Sequence, residues 1–399
     1  MRSVSDHLAA IVARLTALPP LRLPLLEAAG TVLAEEVRSP VDLPPFDNSA
    51  MDGYAVRAAD LAALPVTLPV VADIPAGSVA TTGVTPGTAA RIMTGAPLPE
   101  GADTVVQVEW TDGGVREVRI DRAPPLGTSI RRAGGDVRRG DVVLAEGVRL
   151  GAAQLGIAAS AGRAELLVRP RPRVVVLSTG DELRVPGTPL EPGQIWDSNS
   201  FMLAAAVAEA GGVALRRSFV GDDPAKVRAV LDEQLEHADA VITTGGVSMG
   251  AYDVVKEVLS GGGEVEFSKV AMRPGKPQGF GLLGGRVPLF TLPGNPVSAY
   301  VSFQVFVRPA LRYLQGLAPE GLPAVTAVTE SALTSPAGLQ HYLRASLTFE
   351  DGRYRVSPAS AQDSHQMRAL ANSSGLIVLP ADVTELPAGG EAEVLRLPS

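Results

Sequence analysis

The chain has 399 residues, 46% of them apolar, with 35 Lys and Arg against 43 Asp and Glu and a formal net charge of −8. That length exceeds one typical domain, so two to four are expected, and the acidic balance gives no general attraction to nucleic acid or an anionic membrane, so neither is expected as a partner. The absence of cysteine excludes disulfides, thiolate nucleophiles and cysteine-ligated metals.

The amino terminus has no apolar signal core, and no uninterrupted apolar run approaches membrane-spanning length, so a cytoplasmic protein is the expectation. Residues 5–17 and 25–36 read as short amphipathic helices separated by Pro19-Pro20. The proline-rich stretch 40–54 forces extended, irregular backbone. From about 54 to 146, short alternating apolar runs broken by Gly, Pro and Asp read as a small β-rich module. Pro170-Arg171-Pro172 marks a boundary, after which the texture changes. Residues 173–179 read as a buried strand, and Asn199 or Ser200 can cap a Leu- and Ala-rich helix ending at Gly211-Gly212. A strand over 213–220 follows. Pro224 opens a helix with Val227, Val230, Leu231 and Leu235 on one face, behind Asp222 and Asp223 as N-caps. Then come a strand over 238–244, a helix over 252–259, strands near 264–272 and 286–292, and a long helix from Pro296 to about Gln315. Such alternation predicts a doubly wound, mainly parallel α/β sheet covered on both faces. Beyond Pro319, strands over 324–329, 341–349, 354–358, 375–379 and 391–397, several joined by Asp-Gly or Gly-Gly turns, predict a C-terminal β domain. The expected organisation is a multidomain α/β plus β chain. Residues 1–45 and 147–170 form an elongated connecting region, 46–146 an inserted β-rich module, 171–318 the α/β domain and 319–399 the β domain.

Three strand-end loops carry most of the chemistry. Thr244-Gly245-Gly246-Val247-Ser248 can bring backbone amides, a hydroxyl and the positive end of the next helix to an anion, with Asp253 placed to bind a cation or position water. Its bland counterpart is a tight strand-to-helix connection. Lys269, Arg273 and Lys276 bracket Pro274-Gly275, suiting either phosphate or molybdate binding or a solvated strand end. They include two of only four lysines. Pro293-Gly294-Asn295-Pro296 reads as a turn opening a helix. Asp181-Glu182 can bind Mg2+, move a proton or cap a helix. The segments around Asp52, Met93–Pro99 and Ile130–Asp136 are turn-like. His7, His237, His341 and His365 lack metal-ligand spacing. Neither a Gly-x-x-x-x-Gly-Lys-Ser phosphate loop nor a Gly-x-Ser-x-Gly elbow occurs.

Taken together and in this order, NSAMDGYAV, IMTGAPLP, IRRAGGDV, STGDEL, DSNS, TTGGVSMGAYD, KVAMRPGKP and LPGNPVS, spanning residues 48 to 298, resemble the MoeA family of molybdopterin molybdenumtransferases, shared with the gephyrin E domain. The resemblance implies insertion of molybdate, as co-substrate, into adenylylated molybdopterin with hydrolysis of the adenylyl bond, giving molybdenum cofactor and AMP. It implies Mg2+ or another divalent cation, and a homodimer whose cleft draws on both subunits. It also implies transient contact with the molybdopterin adenylyltransferase and with enzymes that accept the cofactor. By match, Gly245, Gly246 and Ser248 contact the phosphate-bearing part of the substrate. Lys269, Arg273 and Lys276 hold oxyanions, and Pro293 and Pro296 shape a wall. Asp253 supports adenylyl cleavage and, with Glu182, metal binding. Asp52 enters from the partner subunit, Thr94, Arg131, Asp136, Glu182 and Asp222 match other cleft positions, and Arg344 and Ser373 are molybdate contacts with Ser374 as a rival. Two positions depart from the family pattern: Ala251 replaces an acid and Arg273 a lysine. An adenylyltransferase sharing the Gly-Gly-Val-Ser domain and a gephyrin-like scaffold are the competing readings. The first lacks the flanking modules, and the second is separated by AMP release.

Overall fold

The computed structural model of the chain describes residues 1–78, 81–217, 223–245, 254–260 and 265–398. These fall into two compact units, one of Met1–Leu21, Gly30–Val32 and Val168–Ser399, the other of Arg22–Ala29 and Leu33–Leu167.

The second unit is built on a five-stranded sheet in the order Thr104–Gln107, Gly53–Val56, Ala89–Ile92, Val66–Ile74, Glu117–Ile120. Strand periodicity divides its side chains between two cores: Tyr54 and Val56 join Val106 and Ile120, while Ala55 joins Ile92 and Val105. Gly53 is required by close approach, since a Cβ there would lie 2.0 Å from the Val106 carbonyl oxygen. The second helix expected, over 25–36, is absent. Gly30 at φ +76 ends a run of turns. Beyond it the backbone is extended: Leu33 N–H donates to Val148 O (2.9 Å) and Ala34 N–H to Leu167 O (2.8 Å). Tertiary pairing of a β-branched Thr31-Val32 segment thus overrides an apolar spacing that suits a helix.

The first unit holds the α/β sheet, ordered Val213–Arg216, Arg173–Ser178, Ala240–Thr244, Val287–Leu292, Pro277–Leu283, Val265–Lys269. The first four strands are parallel and the last two form an antiparallel edge. Val174, Val176 and Ile242 face one core, Val175, Leu177 and Val241 the other, so the sheet is buried on both sides. Asp223 caps the helix Pro224–Gln234 as expected, its Oδ1 accepting from the Ala225 and Lys226 N–H groups at 3.0 and 3.3 Å. The long helix that closes the α/β region runs Pro296–Ser302, passes through a π turn at Phe303–Val307 and continues as Arg308–Leu314. Pro309 cannot donate a backbone hydrogen bond there, which accounts for the local change of pitch. The strand Pro277–Leu283, unforeseen because three of its seven residues are Gly or Pro, pairs with Val287–Leu292 across a Gly284-Gly285 turn at φ +53 and +70.

The C-terminal strands close on themselves: Gln340–Glu350, Arg353–Pro358, Ala324–Thr329, Glu391–Arg396 and Gly375–Leu379 pair in a ring around Leu343, Ala345, Val356, Ile377 and Val394. Asp351 (φ +50) and Gly352 (φ +77) make the tight turn of its first hairpin. The multidomain α/β plus β class read from the sequence is the one observed. Helix Val4–Val12 packs on the α/β core through Ile11 and through His7, whose ring meets Phe306 edge-on at 4.9 Å. Among the described residues, no helix is long and apolar enough to cross a membrane.

Candidate active site

The parallel strands Arg173–Ser178, Ala240–Thr244 and Val287–Leu292 end in a cleft of about 780 Å3, where an open α/β sheet binds its ligand. Its wall includes Glu182, Gly245, Pro293, Gly294 and Pro296. Gly245 sits at φ +97, and a Cβ there would come within 2.6 Å of the Thr179 carbonyl oxygen, so only glycine lets the chain turn this close to its neighbour. Thr244 Oγ1 donates to Pro293 O (3.1 Å), while the Asn199 amide donates to Thr244 Oγ1 (3.0 Å) and to Gly294 O (2.7 Å). One asparagine therefore ties two of the three strand-end loops together.

The acid that organises this end is Asp197, which was not among the expected site residues. It is buried and accepts from Ser178 Oγ (2.9 Å), Ser200 N–H (3.1 Å) and Ser200 Oγ (2.5 Å). Its place at the start of helix Asn199–Glu209 suits a carboxylate. The visible signal was the Asp-Ser-Asn-Ser string, an acid three residues ahead of a capping-type serine. Glu182 is the more available acid: it is exposed at the cleft, its carboxylate folded back over Gly180. Ile195 and Trp196 form an apolar rim, the indole N–H of Trp196 held by Thr188 O at 2.8 Å.

Lys269, Arg273 and Lys276 fall on one loop closed by Val270 N–H to Lys276 O (2.8 Å). Gly275 (φ +97) packs so tightly on Ser302 that a Cβ would lie 2.7 Å from its Oγ. Gln278 Nε2 then donates to both Gly275 O and Ser302 Oγ at 2.6 Å. All three cations are exposed, and none makes an ion pair among the described residues. The next residue, Pro277, lines the cleft.

In the other unit, three separate motifs converge. Gly95 N–H donates to Ser49 O (2.8 Å), Ser49 N–H to Ala96 O (3.0 Å) and Ala50 N–H to Ser129 O (2.8 Å). Arg131 pairs in register with Asn48. Asp136, exposed, is tied to Leu43 O through its backbone N–H at 3.0 Å. Asp52 and Thr94 meet directly: Oδ1 of Asp52 accepts from both the N–H and the Oγ1 of Thr94 at 2.7 Å. These bonds, the backbone one foremost, hold the Asp52 carboxyl below its ordinary range.

Arg344 and Ser373, the expected molybdate contacts, lie in and beside the C-terminal strands. Arg344 is 1% exposed, and its guanidinium donates to the main-chain carbonyls of Asp363 (3.1 Å) and Ala361 (2.7 Å). Burial lowers its pKa. Ser373 Oγ donates to Ala369 O (2.6 Å), and Ser374 Oγ accepts from Leu347 N–H (2.8 Å). As placed, these groups hold the local backbone together. Gly246, Ser248, Asp253 and Asp222, with Ala251, lie outside the described residues. His365 lines the cleft, although histidine spacing along the chain gave no hint of it.

Three family models match the chain in succession: the MoeA N-terminal region (domain I and II) over residues 2–162, the "Probable molybdopterin binding domain" over 175–313, and the MoeA C-terminal region (domain IV) over 326–397. The chain is 50% identical over 407 residues to "Molybdopterin molybdenumtransferase 2" of Mycobacterium tuberculosis, covering 100% of both chains. The chain belongs to the MoeA family of molybdopterin molybdenumtransferases. It is also 39% identical to "Molybdopterin molybdenumtransferase" of Nostoc sp., over 94% of this chain and 88% of that protein. Among solved structures, a molybdopterin biosynthesis MoeA protein from Pyrococcus horikosii superposes with a TM-score of 0.82 at 30% identity, covering 99% of this chain and 98% of that one. This MoeA-family chain therefore matches along its whole length, flanking modules included.

Proposed function

We propose that this MoeA-family enzyme inserts molybdate into the dithiolene of adenylylated molybdopterin and hydrolyses the adenylyl bond, releasing molybdenum cofactor and AMP. The observation that carries this reading is the polar cleft at the ends of the parallel strands, in a chain that matches the family from end to end. The enzyme works as a cytoplasmic homodimer, with Asp52, positioned by Thr94, entering the cleft of the partner subunit. Gly245 and Gly246 let backbone amides reach a phosphate, and Ser248 donates to it. Lys269, Arg273 and Lys276 supply fixed positive charge for oxyanions, which suits molybdate and phosphate alike. Asp253 aids adenylyl cleavage.

A divalent cation would be held at the cleft wall by Glu182. The described residues contain no group of three or more acids or histidines that could by itself hold a metal ion, and Asp197 is already committed to Ser178 and Ser200. Glu182 is thus the carboxylate left at the cleft wall, matching the way Mg2+ is held by one or two carboxylates together with substrate phosphates. Bound there by Glu182 and Asp253, Mg2+ would neutralise charge on the phosphate bridge.

The test is AMP release from adenylylated molybdopterin by purified chain with Mg2+ and molybdate, chelator abolishing it. Absence of AMP sinks the reading. Asp253→Asn should bind substrate and release AMP at least about a hundredfold more slowly, the usual scale of lost acid–base or metal-supported catalysis.

A further inference from the structure

We propose that His365 is an additional contact to the anionic part of the substrate, carried into the cleft by a strap over residues 359–366 that buried Arg344 holds in place. The proposal rests on the reading of the cleft as the site that takes an adenylyl phosphate.

The strap leaves the strand Arg353–Pro358, and its path is fixed at several points. Ala359 N–H donates to Arg344 O at 2.8 Å. The Gln362 side chain pairs with the main chain of Arg344 in both directions, Oε1 accepting from Arg344 N–H (3.1 Å) and Nε2 donating to Arg344 O (2.9 Å). The guanidinium takes the Ala361 and Asp363 carbonyls. A planar fork with fixed donors can hold two carbonyls two residues apart, which a lysine ammonium cannot do with the same geometry. One residue on, the strap is fastened to the cleft wall: Val297 N–H donates to Ser364 O (3.0 Å) and Asn295 Nδ2 to Ser364 Oγ (2.9 Å). Asn295 and His365 both line the cleft. Gln366 N–H donates to Asp363 O (3.1 Å), so His365 is set between two anchored neighbours, with an imidazole N–H available to an oxyanion. Arg344 acts through it, as a positioning residue.

AMP is the probe, and the full chain the sample. In histidine-labelled protein the His365 ring resonance, assigned by its loss in His365→Gln, should shift as AMP is added. His365→Ala should weaken AMP binding about tenfold, the worth of one hydrogen bond to a charged group, while His365→Gln, which keeps an N–H donor, should stay within about threefold of the parent. Arg344→Lys, checked for folding by its melting curve, should abolish the AMP-dependent shift of the His365 resonance. A resonance unmoved by AMP, or unchanged AMP affinity in His365→Ala, overturns the proposal and leaves the functional reading standing if the parent still releases AMP. A shift that persists in Arg344→Lys overturns the positioning role. A parent chain that neither binds nor releases AMP overturns both the proposal and the reading beneath it.

Discussion

Two acids, one in each unit, have opposite relations to their surroundings. Asp197 is buried, and both its oxygens are used by serines that fix the strand ends and the start of a helix. Asp52 is exposed, and its two bonds from Thr94 converge on a single oxygen. The first acid is part of the frame, and the second is presented to solvent with its orientation already set. Proximity to a ligand site therefore does not identify a reacting group; what matters is how much of its hydrogen-bonding capacity the fold has already consumed.

The sharpest way to break this contrast is to disturb the frame under Asp52. Gly53→Ala forces a methyl against the Val106 carbonyl in the middle of a sheet. It should cost on the order of 4 kcal/mol, read as a large loss of melting temperature. Asp197→Ala comes next. It strands two hydroxyls and a backbone N–H, for an expected cost of about 2 kcal/mol in chemical denaturation together with weakened AMP binding. If Asp197→Ala melts like the parent, the acid is not part of the frame.

Acid should separate the units more gently. All four histidines lie in the unit that carries the cleft. Burial, aided by nearby arginines, lowers His7 and His341 from 6.5 to about 4. With the folded value depressed, the unfolded chain takes up these protons first. Their contribution is present above pH 6.5 and is lost as pH falls towards about 4. Melting followed over that window should show the cleft-bearing unit destabilised first, and His341→Gln should flatten part of the slope. The smallest effect belongs to Thr94→Val, which should leave melting nearly unchanged while the Asp52 carboxyl, followed by NMR titration, rises towards its ordinary value. An unmoved titration would show that the Thr94 hydroxyl does not add to the hold of its backbone N–H on the acid.

Much of the fold could be read in the chain because local and tertiary preferences agree there. The β-branched run at 173–178, the Asp223-Pro224 helix start and the Asp351-Gly352 turn each have one easy conformation, and each adopts it. The segment 25–36 was misread because its spacing suits a helix while its partners, Val148 and Leu167, lie more than a hundred residues away. The cleft was legible in its glycine and proline loops, which announce strand ends. Asp197, Asn199 and His365 were harder. Their roles depend on which carbonyl or hydroxyl lies opposite, and no spacing along the chain encodes that.

The attachment of the first residues has a consequence for synthesis. Arg2 pairs with Lys269 and Ala271 through its backbone, His7 rests on Phe306, and Leu18 N–H donates to Leu314 O. During translation these residues precede their partners by well over two hundred residues and meet them only after nearly the entire α/β sheet has left the ribosome. The unit spanning residues 33–167 can meanwhile complete its own core, since domains generally fold as units as they are made. The helix Val4–Val12 thus waits for the last turns of the helix ending at Leu314 before it can dock.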